Sequence, residues 1–164
     1  MPETPQPPTQ HVKPNPLSTI LFRIAAVLWV IWGLVHTLAG ILTIAQPTAK
    51  AAANIADAVD PAVFELPYPD AMGAILNQHG FNLLWAGVVT TLAAVFIWRR
   101  SIPAVALAAL VGGLLDIGYF LFLDLGGHVH FVPGTLMTLI CAAAIILSTI
   151  AALHQRKANP AAPH

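Results

Sequence analysis

The chain has 164 residues, of which 57% are hydrophobic and only 9% are charged. A soluble domain carries about 25% charged residues, so these figures exclude an ordinary soluble fold and point to one compact integral membrane domain. Seven basic and seven acidic residues cancel, which leaves no basic field to attract nucleic acid.

Residues 1–19 include six prolines, at positions 2, 5, 7, 8, 14 and 16, with little that could pack. They read as a disordered cytoplasmic tail. The first long apolar segment follows, Ile20–Ala45. It exceeds the ~7–15 residues of a signal-peptide core and is long enough for a hydrocarbon layer of ~30 Å, which takes ~20 helical residues. Trp29, Gly33, His36, Gly40 and Thr43 fall on one stripe at helical spacing. Glycines on such a stripe let a neighbouring helix approach closely, and Gly112 and Gly113 are the expected partners.

A connection of about thirty residues, Gln46–Leu76, comes next; loops of this length in compact folds are often lids or binding surfaces. Ala49–Val59 has helical composition, and Pro61, Pro67 and Pro69 break it. Asp70 is the expected N-cap of a helix from Ala71 that reaches the membrane at His79 and ends at Trp98, with Gly80 a candidate kink. Arg99 and Arg100 make a tight turn, and Ser101 with Pro103 starts the third span, Ile102–Leu123. Gly126 and Gly127 form the next turn, and the fourth span covers Phe131–Leu153. Residues 154–164 read as a second disordered tail. The expected fold is therefore an all-α, antiparallel four-transmembrane-helix bundle over residues 20–153.

Orientation follows from charge. Lys13, Arg23, Arg99, Arg100, Arg156 and Lys157 lie at one end of this bundle and only Lys50 at the other. The positive-inside rule then places both termini in the cytoplasm and the long connection outside, in a cytoplasmic (inner) membrane. Reporter fusions at Asp60 and Gly126 are expected to be extracytoplasmic and one at Arg100 cytoplasmic; a cytoplasmic signal at Asp60 would overturn this topology. A short internal echo, Gly33-Leu34-Val35-His36 against Gly113-Leu114-Leu115-Asp116, fits a weak repeat of two hairpins about the membrane normal, although a match of four residues also arises by chance.

The polar residues of the spans gather toward the outer end. With a rise of 1.5 Å per residue, His36 and Asp116 both lie roughly 12–13 Å below that end. Asp116 cannot stay ionised and alone at such depth, and His36 is its partner at equal depth. Such a pair can relay protons or act as a general base; the plainer reading of each is an interhelical hydrogen bond that stabilises the bundle. Asn82, one turn from His79, together with Trp85 and Tyr119, is expected to line a ligand pocket above the pair.

His79, His128 and His130 ring the mouth and form a candidate site for a divalent transition metal, since imidazole suits Zn, Cu, Fe and Ni. Two histidines at an interface are as readily just solvated, and no metalloprotease-type or paired-cysteine motif accompanies them. A bis-histidine haem fits less well, because His36 is deep while His79 and His130 sit near the rim. Cys141 reads as a small packing residue.

Three functions remain open. The first is a membrane protein that binds a metal ion or a small lipophilic ligand in an outward-facing polar pocket. The second is an enzyme with His36 and Asp116 as an acid–base pair on a lipid-soluble substrate. The third is an accessory subunit of a homo-oligomer or a larger membrane complex.

Overall fold

The structure, a computed structural model, describes residues 16–158; of the expected tails, 1–19 and 154–164, residues 1–15 and 159–164 lie outside the described residues, while residues 16–19 and 154–158 are helical, the last helix running on to Ala158. Five α-helices carry the fold: α1 (Pro16–Ala45), α2 (Thr48–Ile55), α3 (Asp70–Trp98), α4 (Ile102–Tyr119) and α5 (Leu136–Ala158). Four apolar helices are long enough to span a membrane: α1, α3, α4 extended through Asp124, and α5 extended back to Phe131. This is a multi-pass membrane bundle, and no strand occurs among the described residues.

Helix ends follow local chemistry, with some shifts from expectation. The first helix begins at Pro16, inside the stretch expected to be tail, because proline is tolerated in a first turn. The third begins at Asp70 itself, with Pro69 before it, so Asp70 sits in the first turn rather than capping it. Asp60 instead caps the short 3-10 turn Pro61–Phe64 by accepting from the Ala62 amide at 3.1 Å. The Ser101 hydroxyl caps α4 by accepting from the Ala104 amide at 3.4 Å. No break occurs at Gly80, and α3 is continuous.

Around the bundle the neighbours run α1, α3, α4, α5 and back to α1. The tightest contact is α1 on α3. Gly33 and Gly40 face Gly87 and Gly80 in antiparallel register, and a Cβ at Gly40 would lie 2.5 Å from the Gly80 carbonyl oxygen. The expected pairing with Gly112 and Gly113 does not form. Gly112 instead receives the Trp29 and Trp32 rings, and Gly113 faces Ile145. Both pairs of packed glycines stand seven residues apart, so one helical face carries each pair and the backbones meet at two levels.

Because α1 and α4 lie diagonally across the bundle, large side chains fill the space between them. Trp29 and Trp32, both fully buried, meet edge to face with ring centroids 5.9 Å apart. Phe22, Ile97 and Val105 with a set of alanines complete the core toward the end that carries the termini. This apolar plug leaves polar atoms sparse there: Ser18 donates to the Ala151 carbonyl at 2.9 Å, and Ser148 and Thr90 satisfy themselves on their own helices. Large apolar side chains such as Leu92, Leu110, Leu114 and Ile146 cover the outside, as a lipid-facing surface requires.

Candidate functional site

At the other end, the end of the 46–69 connection, the bundle opens around a cavity of about 590 Å³. Two local departures from helix make the room. The chain takes a π-type turn at Phe120–Asp124, and Val132 leaves helical geometry (φ −117, ψ 124) ahead of Pro133. Proline offers no amide to continue the ladder, so α5 starts in earnest only at Leu136. Asp124 ties the two segments together by accepting from Thr135 at 2.5 Å and from Thr138 at 3.0 Å.

His36 and Asp116 form the floor. The His36 Nε2 lies 3.7 Å from Asp116 Oδ1, and both residues line the cavity. Trp32 organises the pair from below. Its indole N–H donates to Asp116 Oδ2 at 2.9 Å, its ring stacks on the His36 imidazole with centroids 3.7 Å apart, and its carbonyl meets His36 Nδ1 at 2.9 Å. The Cys141 thiol also faces the Asp116 carboxyl. A carbonyl can only accept, so Nδ1 carries the donated proton and Nε2 is the nitrogen turned toward Asp116.

The walls are mostly apolar. Leu38, Ala39 and Leu42 come from α1, Leu83 from α3, and Phe122 and Met137 from the other side. Leu38 and Phe122 line the cavity and are also 56% and 78% exposed on the outer surface of the bundle. His79 lines the wall of α3, roughly 7 Å nearer the loop end than the floor by helical rise. It has no hydrogen-bond partner among the described residues.

The long connection covers the cavity from the loop end, with Asn54, Ile55 and Asp57 in its lining. Tyr119 donates to Asp57 Oδ2 at 3.0 Å. Backbone bonds from His130 to the Asp57 carbonyl (2.9 Å) and from Val59 to the His128 carbonyl (3.2 Å) join the connection to the α4–α5 turn. Asp57 adopts a left-handed backbone (φ 47) to make this bend, a conformation that aspartate tolerates better than most residues. Burial raises the Asp57 carboxyl above its ordinary range, and the Tyr119 hydroxyl and the charge of His130 offset this only in part.

The expected site residues thus divide. His36, Asp116 and Tyr119 come together at the cavity, and His79 joins them. Asn82 and Trp85 do not line it; the Trp85 indole donates to Asn82 Oδ1 at 3.2 Å on the outer side of α3. The cause is the glycine contact. With Gly80 fixed against α1, Asn82 is ~200° further around a helix of 3.6 residues per turn. His128 and His130 are exposed on the turn and do not line the cavity. Among the described residues no group of three His, Cys, Asp or Glu side chains is placed to hold a metal ion, so the three-histidine centre is not assembled. Cys141 and Asp57 are contributors that the sequence did not place at the site; Trp32 reads in the sequence as a pocket-lining or packing aromatic, and its N–H bond to Asp116 is the new element. Comparison with protein-family models, curated proteins and solved structures finds no match to this chain.

Proposed function

We propose that this is a cytoplasmic-membrane protein that binds an uncharged lipophilic molecule in the cavity over His36 and Asp116, with both termini cytoplasmic and the cavity in the outer leaflet. One observation carries the reading. The cavity is walled by apolar side chains, two of which, Leu38 and Phe122, also reach the outer surface and so offer a lateral way in from lipid, yet its floor holds two ionisable groups. A ligand pocket of ~300–1,000 Å³ with mostly apolar walls and a few convergent polar groups has this form. A lateral way in suits a molecule that arrives through the bilayer. The covering connection, pinned by Asp57 and Tyr119, suits one that does not enter from water. Orientation rests on the six-to-one placement of basic residues.

The same floor supports a second reading, an enzyme acting on such a molecule. An imidazole nitrogen and a carboxyl side by side make an acid–base pair if a substrate proton comes within hydrogen-bond reach.

Extraction into native lipid discs followed by native mass spectrometry tests the binding reading. A lipophilic molecule at one per chain is expected with the wild type and is expected to be lost in Met137→Trp, whose bulkier indole would intrude into the cavity. Equal lipid content in the two proteins would remove the reading.

A further inference from the structure

The atoms of the cavity floor select among lipophilic molecules. Nδ1 of His36 is committed as donor to the Trp32 carbonyl, and one carboxyl oxygen of Asp116 is committed as acceptor to the Trp32 indole. The two atoms that Trp32 does not engage, Nε2 and Oδ1, face each other at 3.7 Å, with the Cys141 thiol, a weak donor, also against the carboxyl. An unprotonated imidazole nitrogen and an ionised carboxylate oxygen are both acceptors, and two bare acceptors at that separation repel. One proton between them removes the conflict, carried by either the carboxyl or the imidazole. In both cases the floor presents one donor and one acceptor side by side. The separation exceeds a direct hydrogen bond, and a single oxygen ~2.8 Å from each atom spans it.

We propose that the His36–Asp116 pair recognises a free hydroxyl group, so that the ligand is a neutral lipid alcohol or phenol whose apolar part lies along Leu38, Leu42 and Phe122. This deepens the binding reading and rests on it. A hydroxyl donates to one of the two atoms and accepts from the other. A ketone, ester or ether oxygen accepts only, and would leave the second acceptor buried and unpaired, which a site built around a hydroxyl penalises strongly. A carboxylic acid or an amine brings a charge that the apolar walls and a lateral way in from lipid do not accommodate. Among the groups a neutral lipophilic molecule can carry, a hydroxyl is the smallest that both donates and accepts at the floor.

The test uses two matched pairs of radiolabelled probes: 4-octylphenol with 4-octylanisole, and 1-dodecanol with methyl dodecyl ether. Binding to the full chain in lipid discs is measured against empty discs. At least one hydroxyl probe is expected to bind roughly tenfold or more tightly than its ether, and the pair that shows the difference tells a phenol from an aliphatic alcohol. In His36→Phe, which keeps a ring over Trp32 but removes the nitrogen, the difference is expected to vanish while the ether still binds. Tight binding of all four probes with no preference within either pair would overturn hydroxyl recognition and leave the lipophilic pocket standing. A preference that survives in a folded His36→Phe would also overturn it. Failure of all four to bind would remove the pocket reading itself, and this inference with it.

Discussion

Replacing Gly87 with alanine is expected to destabilise the bundle strongly, although it adds only one methyl group. That methyl would lie 2.5 Å from the Gly33 carbonyl oxygen and 2.5 Å from the Thr37 amide nitrogen. Backbone meets backbone there, so no side chain can turn aside and α1 must move away from α3. Overpacking costs about 1–3 kcal/mol and occasionally more, and this site belongs at the upper end because a whole helix shifts. Gly40→Ala, with the Gly80 carbonyl and the Leu84 amide each 2.5 Å away, is expected to behave alike. Gly118→Ala is the contrast, since its added methyl meets nothing within 4 Å. Unfolding midpoints in denaturing detergent check the set. Equal midpoints for Gly87→Ala and Gly118→Ala would contradict the α1–α3 contact.

The second large effect concerns Asp116. Asp116→Leu is expected to cost several kcal/mol. It leaves the buried Trp32 N–H without an acceptor and His36 Nε2 without its facing carboxyl, at about 1–3 kcal/mol for each unsatisfied group. Asp116→Asn is expected to be nearly neutral for folding. The amide oxygen can accept from Trp32 and the amide nitrogen can donate to His36 Nε2, so both of these partners are kept, and only the weak Cys141 thiol contact is altered while the ionisable carboxyl is lost. Trp32→Phe is expected to fall between them, losing the indole donor but preserving an aromatic ring beside the imidazole. The same detergent unfolding curves rank the three. An Asp116→Asn midpoint as low as that of Asp116→Leu would show that the carboxyl is not held as described.

Much of this was legible in the sequence, for identifiable reasons. Length and apolar content marked the four spans. Depth alone put His36 and Asp116 in one layer, because antiparallel helices with a constant rise keep their residues at countable levels. Rotation about each helix axis was harder to read. Gly33, Gly40, Gly80 and Gly87 carry the information, each pair seven residues apart, but many pairings of four helices satisfy glycine spacing. Asn82 is placed by its level, one turn from His79, which does not fix the face of α3 it lies on, and the Gly80 contact with α1 turns Asn82 and Trp85 outward. Trp32 reads only as an aromatic that lines a pocket or packs, since nothing local in the sequence reveals that its N–H meets Asp116. Asp57 was hidden for another reason. Its place over the cavity depends on the backbone pairing of two connections far apart in sequence, Asp57–Val59 with His128–His130, and hydropathy does not encode that.

The account rests on His36 and Asp116 forming one pair at the cavity floor, and nitrogen-15 NMR of histidine-labelled protein in lipid, with Asp116 labelled on its carboxyl carbon, reads it most directly. The His36 signals, identified by their loss in His36→Gln, are expected to show a protonated Nδ1 and a dipolar contact from Nε2 to the Asp116 carboxyl carbon. A His36 whose Nδ1 is bare, or whose Nε2 shows no contact with that carbon, would contradict it.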